Sequence, residues 1–188
     1  MKNLMKATVP VLSVLFITAC GNGSTSGEKG KNDSADHSGH DHAAMQETTA
    51  STTAVTLKDD KLNAVYQHYV HLTTALTNSD MAEAKIASNA IEAGAKEVTG
   101  ADAVASSAAE ITAASDIEAQ RNAYSSLSNE FINLVKKSGV NSGELYVDYC
   151  PMAMNDKGAS WLSASKQIKN PYFGEKMMTC GEVKETIK

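Results

Sequence analysis

Between Leu57 and Gly139 the apolar residues recur at three- and four-residue steps in four successive runs, and helix-starting or helix-stopping residues separate the runs. Leu62, Val65, Tyr66, Tyr69, Thr73 and Leu76 make the first stripe, and Asn78-Ser79-Asp80 ends it while offering caps to the next helix. The second helix is predicted from Met81 to Val98, with Ala84, Ala87, Ile91 and Val98 on one side and alanines small enough for close approach to a neighbour. Gly100 interrupts it. A weaker third helix covers about 102–114 through Val104, Ala108 and Ile111. Ser115-Asp116 caps a fourth, striped by Ile117, Tyr124, Leu127, Phe131, Leu134 and Val135. Lys136 and Lys137 sit where its dipole favours positive charge, and Gly139 stops it. Short connections of this kind favour an up-and-down antiparallel bundle.

The last fifth of the chain changes character. LYVDY, Leu145 to Tyr149, alternates apolar and polar residues and predicts a strand. ASWLS after Gly158 predicts a second, NPYFG from Asn170 to Gly174 a turn, and Val183 to Ile187 a closing helix or strand. The expected fold is therefore mainly α: an antiparallel bundle of about four helices with a small C-terminal β-containing Cys/Met unit. The bundle is expected at 57–139 and the Cys/Met unit at 140–188, together one domain.

The N-terminus carries addressing information. MKNLMKATVPVLSVLFITAC has Lys2 and Lys6, an apolar run from Val9 to Ile17 too short to span a bilayer, and small residues before Cys20. Ile-Thr-Ala-Cys resembles the lipobox of bacterial lipoproteins, which makes residues 1–19 a signal peptide and Cys20 the lipidated residue. By analogy with lipoprotein sorting, Gly21 at the next position favours the outer membrane over the inner. The expected location is thus the cell envelope, lipid-anchored and facing the periplasm. Residues 20–56 are rich in Gly, Ser, Thr and charge and nearly free of large apolar residues, the composition of a disordered tether. A net charge of −5 excludes the clustered basic surface that nucleic acid requires.

Two groups of candidate ligands stand out. CPMAM brings Cys150, Met152 and Met154, and MMTC brings Met177, Met178 and Cys180. On an extended backbone Cys150, Met152 and Met154 would share one face. Thiolates and thioethers are the soft donors that select Cu(I), and thiolates also suit zinc, so strands converging from the two motifs would make a copper or silver site. The competing reading is a Cys150–Cys180 disulfide, the ordinary fate of two cysteines in an exported protein and a contribution of about 3–4 kcal/mol in the loop-entropy picture, with methionine as core filler. Both readings stay open at this point. Pro151 lacks a backbone donor, so the strand must end or lie at an edge there.

The tether holds the second group: His37, His40 and His42, with Asp36, Asp41 and Met45 as further donors, close enough to surround one zinc, copper or nickel ion. His68 and His71 lie one turn apart but opposite the apolar stripe, and read as surface residues. Trp161, the only tryptophan, reads as a core anchor for the C-terminal segment. There is no Gly-rich phosphate loop, GxSxG or HExxH, and no catalysis is expected.

CPMAMNDKGASWLS and IKNPYFGEKMMTCGEV closely resemble the C-terminal signature of the family called domain of unknown function 3347. YQHYVHLTTALTNSDMAEAKIASNAI and QRNAYSSLSNEFINLVKKSG are similar to its helical half, so the resemblance runs over roughly 57–188. It implies a helical domain with a Cys/Met unit associated with heavy-metal handling, since this family is sometimes appended to membrane-fusion subunits of heavy-metal efflux systems. Cys150, Met152, Met177 and Cys180 correspond to its signature positions, whereas Met154 and Met178 are less characteristic. CPM is also similar to the start of the CPMHP motif of heavy-metal-binding domains, without the histidine and proline. The resulting expectation is a metal-binding lipoprotein for Cu(I) ahead of silver or zinc, serving efflux partners. The alternative is a non-catalytic envelope interaction module stapled by a disulfide.

Overall fold

The computed structural model describes residues 54–188. The signal peptide, Cys20 and the histidines of the tether, expected in the segment before it, lie outside the described residues. Among the described residues no helix is long and apolar enough to cross a membrane.

Four long helices follow one another: α1 Asp60–Thr77, α2 Met81–Ala95, α3 Asp102–Ala113 and α4 Ile117–Ser138. Three of the starts are fixed by carboxylate caps. Asp59 accepts from the Leu62 N–H, Asp80 from the N–H groups of Ala82 and Glu83, and Asp116 from that of Ala119, satisfying donors that a helix leaves open. α3 has no side-chain cap. α2 ends before Val98 because its chain tightens into three-residue turns, Glu97 N–H to Gly94 and Val98 N–H to Ala95. Each helix packs chiefly against the next, and the connections 78–80, 96–101 and 114–116 are too short for anything but a reversal. The expected stripes are the buried ones: Leu62, Val65, Tyr69 and Leu76 of α1 meet Ala84, Ala87 and Ile91 of α2, and Tyr124, Leu127, Phe131 and Val135 of α4 fill the same core.

Two short strands escape the periodicity. β1, Thr56–Leu57, pairs antiparallel with β2, Val140–Ser142, and the hydroxyls of Thr56 and Ser142 lie 2.8 Å apart. Thr56, expected in the tether, therefore belongs to the folded domain. A two-residue strand is too short to show alternation, which is why the pattern missed it.

The C-terminal unit is a three-stranded antiparallel sheet ordered β4-β3-β5, with β3 Leu145–Cys150, β4 Ala159–Ser163 and β5 Glu182–Ile187. Asp148 faces Trp161 and Cys150 faces Ala159 across β3 and β4, and a bulge interrupts β3 against β5 between Val147 and Asp148. β4 lies on α4. A buried hydroxyl network ties sheet to bundle: the Tyr69 hydroxyl receives the Leu162 N–H at 2.9 Å and the Tyr124 hydroxyl at 2.9 Å, and lies 2.7 Å from the Ser128 hydroxyl. Aromatic rings continue the connection from Phe131 and Tyr69 (4.6 Å between centroids) through Tyr124 and Tyr172 to Trp161. Trp161 is the core anchor expected of it.

Candidate metal centre

Cys150 is the last residue of β3 and is fully buried. The chain does not stay extended beyond it. Pro151 and Met152 turn away, and Met154, Asn155 and Asp156 adopt left-handed backbone with φ of 55°, 55° and 63°. Cys150, Met152 and Met154 consequently share no strand face, contrary to the extended-backbone expectation. Left-handed geometry costs about 1 kcal/mol or more per residue, so the loop depends on its surroundings to persist. Gly158 closes it at φ +79°, with its N–H donating to Ala153 O at 2.9 Å. A Cβ there would fall 2.0 Å from the Tyr149 hydroxyl, so no other residue fits under that ring.

The opposing segment is fastened by two side chains. Asn170 is buried: its Oδ1 accepts from the N–H groups of Tyr172 (2.8 Å) and Phe173 (3.3 Å), and its Nδ2 donates to Cys180 O at 2.7 Å. Its own N–H donates to Met178 O at 2.8 Å, so one residue holds both legs of the loop 170–180. Arg121, 2% exposed on α4, donates from Nε to Pro171 O at 2.9 Å, and from Nη2 to Leu76 O at 3.1 Å and Ser79 Oγ at 3.0 Å. It thereby caps the end of α1 and clamps the Asn-Pro turn to the bundle with the same guanidinium. Gly174 passes over this clamp at φ +57°, where a Cβ would come within 2.8 Å of Thr77 O and 2.9 Å of Arg121.

These fastenings bring Cys180 back to Cys150. Both are free thiols, and their side chains approach each other. The neighbouring Cys150 thiol, followed by burial, pushes Cys180 up to about 11, against the pull of the Met152 backbone N–H. The Cys180 sulfur therefore carries its proton at neutral pH.

The methionines gather beside this pair rather than around it. Met152, Met154 and Met177 line a cleft of about 500 Å³, walled by Tyr172 and Phe173 and edged by Glu118, Asn122 and Asp156. Neither cysteine lines the cleft. Met152 touches both compartments, with its side chain in the cleft and its N–H toward Cys180. Met178 lies apart from the cleft, half-buried. His68 and His71 are exposed on α1, where His71 Nε2 pairs with Glu83 at 2.9 Å. Among the described residues no three His, Cys, Asp or Glu side chains come together as a ligand group.

Three residues that shape this unit escaped the sequence reading. Asn170 was visible only as a turn former. Arg121 carried a signal, being the only arginine among 17 basic residues and placed within the apolar stripe of α4. Asp148 is fully buried on β3 with neither carboxyl oxygen hydrogen-bonded, and burial pushes its carboxyl up to about 7.

No curated protein and no solved structure matches the chain. A family model described as "Protein of unknown function (DUF3347)" matches residues 65–143, from within α1 to just past β2 and short of Cys150. The helical half of the chain thus bears out the resemblance to that family of unknown function.

Proposed function

We propose that the chain is a lipid-anchored, periplasm-facing protein of the cell envelope that captures Cu(I) or a similar soft ion and buffers it or hands it to an efflux partner. The observation that carries this reading is the approach of the free thiols Cys150 and Cys180 to each other, with three methionines in the neighbouring cleft. Two thiols and a thioether are a soft donor set, which favours Cu(I) over zinc and accepts silver by the same chemistry. Capture displaces the Cys180 proton, since the thiolate is the ligand. His37, His40 and His42 would collect ions from the surroundings, with Cys20 as the lipid attachment and the outer membrane as the favoured site.

The test is anaerobic titration of Cu(I) against a competing chelator, with wild type, Cys180→Ser and the combined Cys150→Ser, Cys180→Ser, Met152→Leu variant. Cys180→Ser keeps the buried Cys150 in place and so guards against simple misfolding. Loss of binding in both variants supports the site; unchanged binding in both removes it.

The same approach of the thiols favours a second reading, a non-catalytic interaction module stapled by a Cys150–Cys180 disulfide. Intact mass after thiol alkylation of protein taken directly from the envelope separates the two. Unalkylated cysteines favour the staple, and two alkylated ones favour the metal site.

A further inference from the structure

We infer that the methionine cleft is a second soft-ion site, built of thioethers and independent of the cysteines. This deepens the proposed function and rests on its reading of the C-terminal unit as a carrier of soft ions. The sequence pointed to one merged sulfur pocket, and the structure divides it. Met152, Met154 and Met177 line the cleft, while Cys150, the last residue of β3, is fully buried and the half-buried Cys180 approaches it outside the cleft. Met152 is 48% exposed, an unusual position for a methionine whose only task is to fill a core.

The chemistry of the two compartments differs. A thioether has no proton to lose and brings no charge, so it suits a monovalent soft ion. Zinc is ordinarily held by thiolate, imidazole or carboxylate. Of the two rim carboxylates, Glu118 is paired with the Arg121 guanidinium at 3.3 Å, which leaves Asp156 as the acidic group at the opening that would attract a cation. Three rotatable bonds let each methionine swing its sulfur inward, so a cleft of about 500 Å³ can contract around one ion. Its donors are the same whether the cysteine pair is thiol or disulfide. Met152, shared between compartments, is where an ion would pass from cleft to thiols.

The experiment is a silver(I) titration of the full-length chain labelled with ¹³C-methyl methionine, in wild type and in Cys180→Ala, which dismantles the thiol pair but leaves Cys150 buried. The methyl signals of Met152, Met154 and Met177 are expected to shift together in both proteins, with Met178 and Met81 unmoved. Replacing the three cleft methionines by leucine in Cys180→Ala should weaken silver binding at least about tenfold. Zinc(II) should leave the three methyls in place. Shifts in wild type that vanish in Cys180→Ala would overturn the independent site while leaving the proposed function intact. Equal movement of Met178, or equal shifts with zinc, would overturn its selectivity, and absence of any methyl shift in either protein would remove it. Chelator competition for Cu(I) on the same wild-type sample then decides the thiol site separately.

Discussion

In α1–α4 the buried positions are apolar with few exceptions, and the helices are held by stripes such as Leu72, Leu76, Ile91, Ile111 and Leu127, all essentially inaccessible to solvent. Outside β4 and Tyr172, the segment 151–181 has little such filling. It keeps its course through Asn170, Arg121, two glycines in close quarters and a run of left-handed residues. Burial spread over many side chains shares the stabilisation among them, each contributing roughly in proportion to its area. Directional contacts concentrated in two side chains position atoms sharply but fail abruptly. The contrast explains how one small domain can join a robust frame to a sulfur unit with thiols and an open cleft.

The contrast can be broken from either side. Phe131→Ala, in the bundle core and stacked on Tyr69, should have the largest effect, about 4 kcal/mol in urea unfolding, with both regions lost together. Arg121→Met should cost about 3 kcal/mol, because Pro171 O and Leu76 O lose their charged donor. Its signature is unequal: far-ultraviolet helicity is retained below the unfolding transition, while Cu(I) affinity falls. Equal loss of both signals would show that the C-terminal unit is no more dependent on its polar clamp than the helices are.

Asp148→Asn sharpens the comparison through pH. The folded carboxyl is raised to about 7 by burial, whereas the unfolded one ionises near the usual carboxylate value. Between those two values the folded protein holds the extra proton, so stability falls as pH rises through the window and the loss is complete above the folded value. The amide removes that penalty. In the ion-free protein the variant should gain about 2 kcal/mol over wild type at pH 8 and little at pH 4, read by urea midpoints at each pH. A gain independent of pH would mean that the buried carboxyl is not the titrating group. His71→Ala, which removes only an exposed pair with Glu83, should change stability by less than about 0.5 kcal/mol.

The helices were readable because their determinants are local. Asp80 caps α2 three residues after α1 ends, and the stripe that buries Tyr124, Leu127 and Phe131 lies within one helix. The strands β3 and β4 were readable for the same reason, LYVDY through its apolar and polar β-rich residues and ASWLS as a short run after Gly158. The CPMAM segment was not. Its extended reading failed because three left-handed residues follow Pro151, in a loop closed by the Gly158 N–H to Ala153 O bond and by the close approach of the Tyr149 ring to Gly158.

What the sequence alone determined, then, is a helical frame followed by a small sheet carrying two sulfur motifs, since periodicity, caps and residue type act over a few positions. Tertiary structure decided the rest: that the two cysteines are brought near each other, that the methionines form a separate cleft, and that Arg121 serves both halves at once. Those outcomes depend on contacts between residues about thirty to fifty positions apart, and no local pattern encodes which distant carbonyl a guanidinium will find.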